Sequence, residues 1–265
     1  MEITTTNGRQ LYYEVLHPTK NSTLVFLNGL TQSTVSWALL LPHFRNFRVI
    51  LLDFVFQGKS DKRGEWQDFD AHADDVAQVL HQEKISSASI VGLSYGSLVA
   101  QHFAVRYPQQ LEKLVLMSSF CHKTPYYEAM ESAWWQSLKI GGYPLLLEVM
   151  LPTVLSENYF NNPLIPIELM KQARMEANQD TQALFNLMRA TKERGDFRPE
   201  LKKVKAETMV LHGEKDLLFP LHMGEEVAGS IRGARFVVIR GVGHTLNLEG
   251  VTEVCSSILS FLSGK

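Results

Sequence analysis

What most constrains this chain is a set of short runs that are apolar from end to end. "TLVFLN", "FRVILLD", "SASIVGL", "LEKLVLMSS", "ETMVLHG" and "ARFVVIR" lack the alternation of a strand with one wet face. A strand that is apolar on both faces must be covered on both faces. Chains meet that demand with a parallel sheet between two layers of helices. The intervening segments supply those helices. "DFDAHADDVAQVLHQE" puts Val76, Val79 and Leu80 on one face behind an acidic first turn, which suits a helix N-terminus. "YGSLVAQHFAVRY" reads as a helix stopped before Pro108, and "VTEVCSSILSFL" as a final helix. "STVSWALLLPHF" is also apolar at helical spacing, and "RQLYYEVL" reads as an early strand after an Asn7-Gly8 turn.

The alternation is interrupted once. From about residue 120 to residue 199 no strand-like run occurs, and the segment holds five of the nine methionines, six of the ten prolines and the pair Trp134-Trp135. Prolines at 144, 152, 163 and 166 are expected to cut it into short helices. The expected organisation is therefore a core of residues 1–119 and 200–265 with a helical insertion at 120–199. A chain of 265 residues, 45 % hydrophobic, can bury a core of this size.

Composition narrows the partners. The 26 basic and 28 acidic residues are mixed along the chain, for a net charge of −2, so no basic stripe points to nucleic acid. No apolar run reaches the ~18 residues of a membrane span. The start, "MEITTTNGRQLYYEV", has neither a basic end nor an apolar signal core. Cys121 and Cys255 are far apart, without metal-type spacing, and are read as reduced thiols. A cytoplasmic protein with no metal and a small-molecule partner is expected. The sequence leaves its oligomeric state open.

Ligands of parallel sheets bind beyond the carboxyl ends of the strands. Those ends carry Asn28-Gly29-Leu30, Asp53, Ser94, Ser118-Ser119, Asp216 and, beyond the last strand, His244. A serine, an acid and a histidine in that order are what nucleophilic catalysis needs. The hydroxyl is a poor nucleophile until an imidazole takes its proton, and the imidazole needs a carboxylate to orient it and stabilise its cation. Ser94 stands in Gly92-Leu93-Ser94-Tyr95-Gly96, between a strand and a helix, which matches G-x-S-x-G in its required setting. The bland alternative is a turn that needed small residues, which accounts for Gly92 and Gly96 but not for Ser94. His244 could be an ordinary loop histidine, and Glu214 and Asp53 compete with Asp216. Asp53 is read as a loop brace.

On these residues the chain resembles the α/β-hydrolase superfamily. The resemblance is carried by "FLNGL" with Ser33 and Trp37 after it, "DFVFQGKSD", "GLSYG", "LHGEKD" and "GVGHTLNLE", and it extends over nearly the whole chain. It implies a mostly parallel central sheet of about eight strands, helices on both faces, and a helical cap formed by the insertion. It also implies Ser94 as nucleophile, His244 as base and Asp216 as acid, with the N–H groups of Leu30 and Tyr95 as the oxyanion hole. Asn28 stands where many relatives have histidine, and in having Asn there the chain resembles the enol-lactonase branch. Val55 and Phe56 replace a usual arginine and glycine. Asn28, Trp134, Trp135, Tyr143 and Cys121 are the candidate substrate contacts, set against the bland reading of aromatic core residues.

The expected function is a cofactor-free serine hydrolase acting on an ester, thioester or lactone of a small to medium apolar acid. The same machinery serves acyl transfer or C–C bond hydrolysis. A ligand-binding signalling protein with slow or no turnover is a rival on the same fold. Turnover of short p-nitrophenyl esters before and after Ser94→Ala separates enzyme from receptor. Activity is expected to rise with pH as His244 becomes neutral, near ~6.5 for an unperturbed imidazole.

Overall fold

The computed structural model describes residues 1–5, 7–177 and 180–264. Eight strands form one sheet: β1 (Glu2–Thr4), β2 (Gln10–Leu16), β3 (Thr23–Leu27), β4 (Arg48–Leu52), β5 (Ala88–Leu93), β6 (Leu111–Met117), β7 (Glu207–Gly213) and β8 (Arg235–Ile239). Their spatial order is β1-β2-β4-β3-β5-β6-β7-β8. β1 with β2, and β2 with β4, run antiparallel, and every other pairing is parallel. The expected mostly parallel sheet is thus observed, and the short β1 is an addition that the sequence did not announce.

The apolar runs are buried on both faces, as their composition demands. Within β3, Val25 and Leu27 join one core and Leu24 and Phe26 the other. The first core lies under α1 (Phe69–Gln82) and α2 (Tyr95–Arg106). The second is built around Trp37 and Phe44, whose neighbour Phe26 lies 4.8 Å and 5.3 Å from their respective rings. α1 begins where Asp68 accepts a hydrogen bond from the Ala71 N–H at 2.8 Å, an N-cap worth about 1 kcal/mol.

Two expectations are corrected here. The "STVSWALLLPHF" segment forms no α-helix but two short 3-10 turns, Thr34–Trp37 and Leu41–Phe44, the second with Pro42 in its first turn. Between β6 and β7 the described residues form helices only, but the prolines do not set all the breaks. α3 (Pro125–Val154) runs through Pro144 and Pro152 and kinks at Gly142, whose φ of 65° needs a glycine. Pro144 then opens the second half, where a missing N–H costs nothing. Pro163 and Pro166 do fall in the connection between α4 (Glu157–Asn161) and α5 (Ile167–Ala177). The remaining helices are α6 (Thr181–Glu193), α7 (Arg198–Leu201), α8 (Leu221–Ser230), α9 (Leu246–Glu249) and α10 (Val251–Leu262). Cys255 is buried on α10 beside Val254 and Ile258, and both cysteines are free. Among the described residues no helix is long and apolar enough to cross a membrane.

Candidate active site

Ser94 sits between the last residue of β5 and the first of α2, with φ 52° and ψ −115°. Side chains with a Cβ rarely adopt that conformation, which costs about 1–3 kcal/mol. The surroundings enforce it. A Cβ on Gly92 would stand 2.4 Å from the Gly96 carbonyl oxygen, and one on Gly96 would stand 2.2 Å from that of Leu27. So α2 starts directly against the ends of β5 and β3, and only glycine fits at either contact. The Ser94 N–H donates to the Met117 carbonyl at 2.9 Å, and its own carbonyl accepts from Ser97.

Asp216, after β7, is buried. Its Oδ2 lies 2.8 Å from His244 Nδ1, and its Oδ1 accepts the Phe219 N–H at 2.8 Å. A carboxylate only accepts, so a neutral His244 carries its proton on Nδ1 and leaves Nε2 as the acceptor. The histidine is held from three sides. Its N–H donates to the Val154 carbonyl at 3.0 Å, its carbonyl accepts the Ser118 hydroxyl at 2.8 Å, and the Phe219 ring meets it edge-on at 4.8 Å. The loop approaches β7 so closely that a Cβ on Gly213 would stand 2.0 Å from the Gly243 carbonyl oxygen.

Ser94 and His244 line one small cavity of about 40 Å³, with Leu30, Trp134, Met150 and Leu218 on the same wall. The serine hydroxyl makes no hydrogen bond among the described residues. Two N–H groups are available near the serine. That of Tyr95 is the first of α2, where no acceptor exists within the helix. That of Leu30 has no partner among the described residues.

The Leu30 loop is braced by a residue that sequence reading does not single out. Gln57 Nε2 donates to the carbonyls of Gly29 (2.8 Å) and Leu30 (3.0 Å). Its only outward signal is its place in "DFVFQGKSD". Asp53 serves the same region. Its Oδ1 accepts the Thr34 N–H at 2.8 Å and its Oδ2 that of Lys59 at 2.9 Å, while burial pushes its carboxyl above the usual range.

Other candidates are placed differently from expectation. Asn28 is wholly buried and off the cavity wall. It donates to the Leu52 carbonyl at 2.7 Å and accepts from Trp37 Nε1 at 2.8 Å, so it ties β3 to β4 and to the turn beyond. Trp134 does line the cavity, whereas Trp135 packs on Phe185 at 4.8 Å. Tyr143 is buried outside that wall. Cys121 is also off it. Burial pushes its thiol up to about 12, and its carbonyl accepts the Phe197 N–H at 2.8 Å. Its Sγ, His122 Nδ1 and a Glu226 oxygen lie within 4.8 Å of one another, but Glu226 already pairs with Arg198 at 2.9 Å. None of Asn28, Trp135, Tyr143 and Cys121 lines this cavity, and each is packed into its surroundings.

Two further groups are not foreseen by the sequence. Arg174 of α5 stands on the cavity wall. His212 of β7 lies beside the acid, its Nε2 donating to the Phe219 carbonyl at 2.7 Å and 3.5 Å from Asp216 Oδ2. Burial lowers its pKa, so it braces the Asp216 loop as a neutral ring.

The same elements recur in known proteins. A family model described as alpha/beta hydrolase fold matches residues 22–140. A 2-hydroxymuconate semialdehyde hydrolase from a Pseudomonas species is 26 % identical over 247 residues, covering 91 % of this chain and 86 % of that protein. An alpha/beta hydrolase enzyme from a Medee basin deep-sea metagenome library superposes with a TM-score of 0.90 at 24 % identity, covering 99 % and 97 % of the two chains. A thermophilic esterase from Thermogutta terrifontis does so with 0.87 at 27 %, covering 100 % and 98 %. Sheet order, a strained serine elbow and this likeness along the full length agree, and the chain has the α/β-hydrolase fold.

Proposed function

We propose that the protein is a serine hydrolase that cleaves a carboxylic ester, thioester or lactone through an acyl-enzyme. The observation that carries this reading is the 2.8 Å Asp216–His244 contact beside a serine held at φ 52° on the same cavity. In the proposed cycle, Ser94 Oγ attacks the substrate carbonyl and gives its proton to His244 Nε2. Asp216 fixes the Nδ1–H tautomer and stabilises the imidazolium. The Leu30 and Tyr95 N–H groups receive the oxyanion, each worth about 3 kcal/mol in comparable sites. His244 then protonates the departing oxygen, and a water activated by the same ring releases the acid. Residues 120–199 serve as the cap over this site, contributing Trp134, Met150, Val154 and Arg174 to its wall.

C–C bond hydrolysis is a second reading that one observation favours. Arg174 places a guanidinium on the wall, where it suits a substrate that carries a carboxylate near the scissile bond. The 2-hydroxymuconate semialdehyde hydrolase described above takes its name from an acid of that kind. The test is a pair of assays on the intact protein and on Ser94→Ala. Burst release from p-nitrophenyl acetate, with a phosphonate trapped on Ser94, supports the ester reading. Turnover of the semialdehyde in preference to any ester, weakened by Arg174→Met, supports the second. No turnover of either would sink both.

A further inference from the structure

The candidate reaction cavity adjoins a larger groove. The groove measures about 380 Å³, against about 40 Å³ beside the serine. The two share Thr31, Gln32, Arg174 and Thr245 as wall residues, so they are neighbours. A water molecule takes about 30 Å³ of liquid. The inner space thus suits the smaller part of a substrate and the outer one the larger part. The outer wall is mainly apolar: Val35, Leu39, Ile165, Met170, Ala173 and Leu248.

Position says which end of a substrate goes where. In ester cleavage the Oγ–C bond forms as the C–O bond to the alcohol breaks. The proton passes from Oγ to His244 Nε2 and on to the alcohol oxygen, so that oxygen has to face the imidazole. The outer groove is walled by Thr245, Asn247 and Leu248, the residues that follow His244, and by Thr31 and Gln32, which follow the Leu30 loop. The inner space is lined by Trp134, Met150, Val154 and Leu218. Resting on the serine-hydrolase reading, we propose that the substrate is a short-acyl ester of a larger apolar alcohol, with the acyl group held against Trp134 and Met150 and the alcohol lying in the groove between α5 and the 31–39 segment.

The test is a two-way series of esters assayed for kcat/KM. With acetyl fixed, lengthening the alcohol from methyl to hexyl should raise kcat/KM by up to about fourfold per methylene while the groove fills. With methanol fixed, lengthening the acyl chain from acetyl to hexanoyl should lower it at least tenfold. Ala173→Trp, on the exposed wall of the groove, should cost hexyl acetate at least tenfold more than it costs methyl acetate. Met150→Ala should extend acyl tolerance by one or two carbons, and circular dichroism melts would establish that both variants fold. A rise with acyl length and none with alcohol length overturns the assignment while leaving the serine-hydrolase reading intact. Absence of any ester turnover sensitive to Ser94→Ala overturns that reading, and the inference with it.

Discussion

Strain at Ser94 makes a prediction that separates stability from activity. The residue holds φ 52° and ψ −115°, a region costing a Cβ-bearing side chain about 1–3 kcal/mol. Ser94→Ala keeps the Cβ and therefore the strain. Ser94→Gly removes it, at the cost of about 0.5–1 kcal/mol of extra chain entropy in the unfolded state. Neither variant loses a side-chain hydrogen bond, because the hydroxyl makes none among the described residues, and both keep the N–H bond to Met117. The difference between them isolates the backbone term. Ser94→Gly should be more stable than Ser94→Ala by about 0.5–2 kcal/mol, or about 1–8 °C in Tm for a domain of this size. Urea titration and calorimetry of the two proteins side by side measure it, and under the proposed mechanism both should lose hydrolysis. A glycine variant no more stable than the alanine one would refute the claim that the fold stores strain at the elbow.

Three other outcomes follow from the geometry. Gly96→Ala would place a Cβ 2.2 Å from the Leu27 carbonyl oxygen, a backbone clash that only separation of α2 from β3 relieves. It should cost about 3 kcal/mol or more, together with roughly a hundredfold in kcat/KM; wild-type melting and activity would refute it. Asp216→Asn should lower kcat by about 10³–10⁴ with little change in KM, since the amide no longer fixes the Nδ1–H tautomer; a change confined to KM would contradict the assignment. Burial holds His72 at about 3, and burial with Arg194 holds His102 at about 4 in spite of Asp70 at 2.7 Å. Both are neutral when folded and take up protons on unfolding, so the stability they protect is complete above about pH 6.5 and falls by a few kcal/mol towards pH 4. Buried Asp75, raised to about 6, works the other way over the lower part of that range. Urea midpoints at pH 7 and 5 should converge in His72→Phe relative to wild type, and an identical loss in the two proteins would count against the buried histidine.

Much of the fold is legible in the sequence because it depends on local signals. Continuous apolar runs specify strands buried twice over, and both cores are filled from alternate residues of the same strands. The Gly-x-Ser-x-Gly corner reports a backbone constraint, and the clashes that a Cβ would make at Gly92 and Gly96 are the physical content of that pattern. Spacing by itself misleads. "STVSWALLLPHF" has a helical period, yet Trp37 and Phe44 enter the core from separate 3-10 turns, pinned by the Trp37–Asn28 and Thr34–Asp53 hydrogen bonds. Proline is likewise a poor guide in α3, where Gly142 makes the kink.

The pocket is the least legible part, and the reason is competition for side chains. An aromatic or amide in a helix or strand end can serve the core or the ligand, and sequence does not rank the two. Asn28 shows how the choice falls. Its amide has four neighbours to satisfy, the Leu52 carbonyl, the Trp37 indole, Asp53 and Gln57, and turning it towards a substrate would leave buried polar groups unpaired at about 1–3 kcal/mol each. So Asn28 acts at one remove. With Gln57 it orients the loop whose next N–H, that of Leu30, stays unbonded beside Ser94 among the described residues. On the opposite side, the Val154 carbonyl at the end of α3 receives the His244 N–H. The helix that lines the inner cavity therefore also holds the His244 backbone, so on the proposed mechanism substitutions that shift α3 should change KM and kcat together.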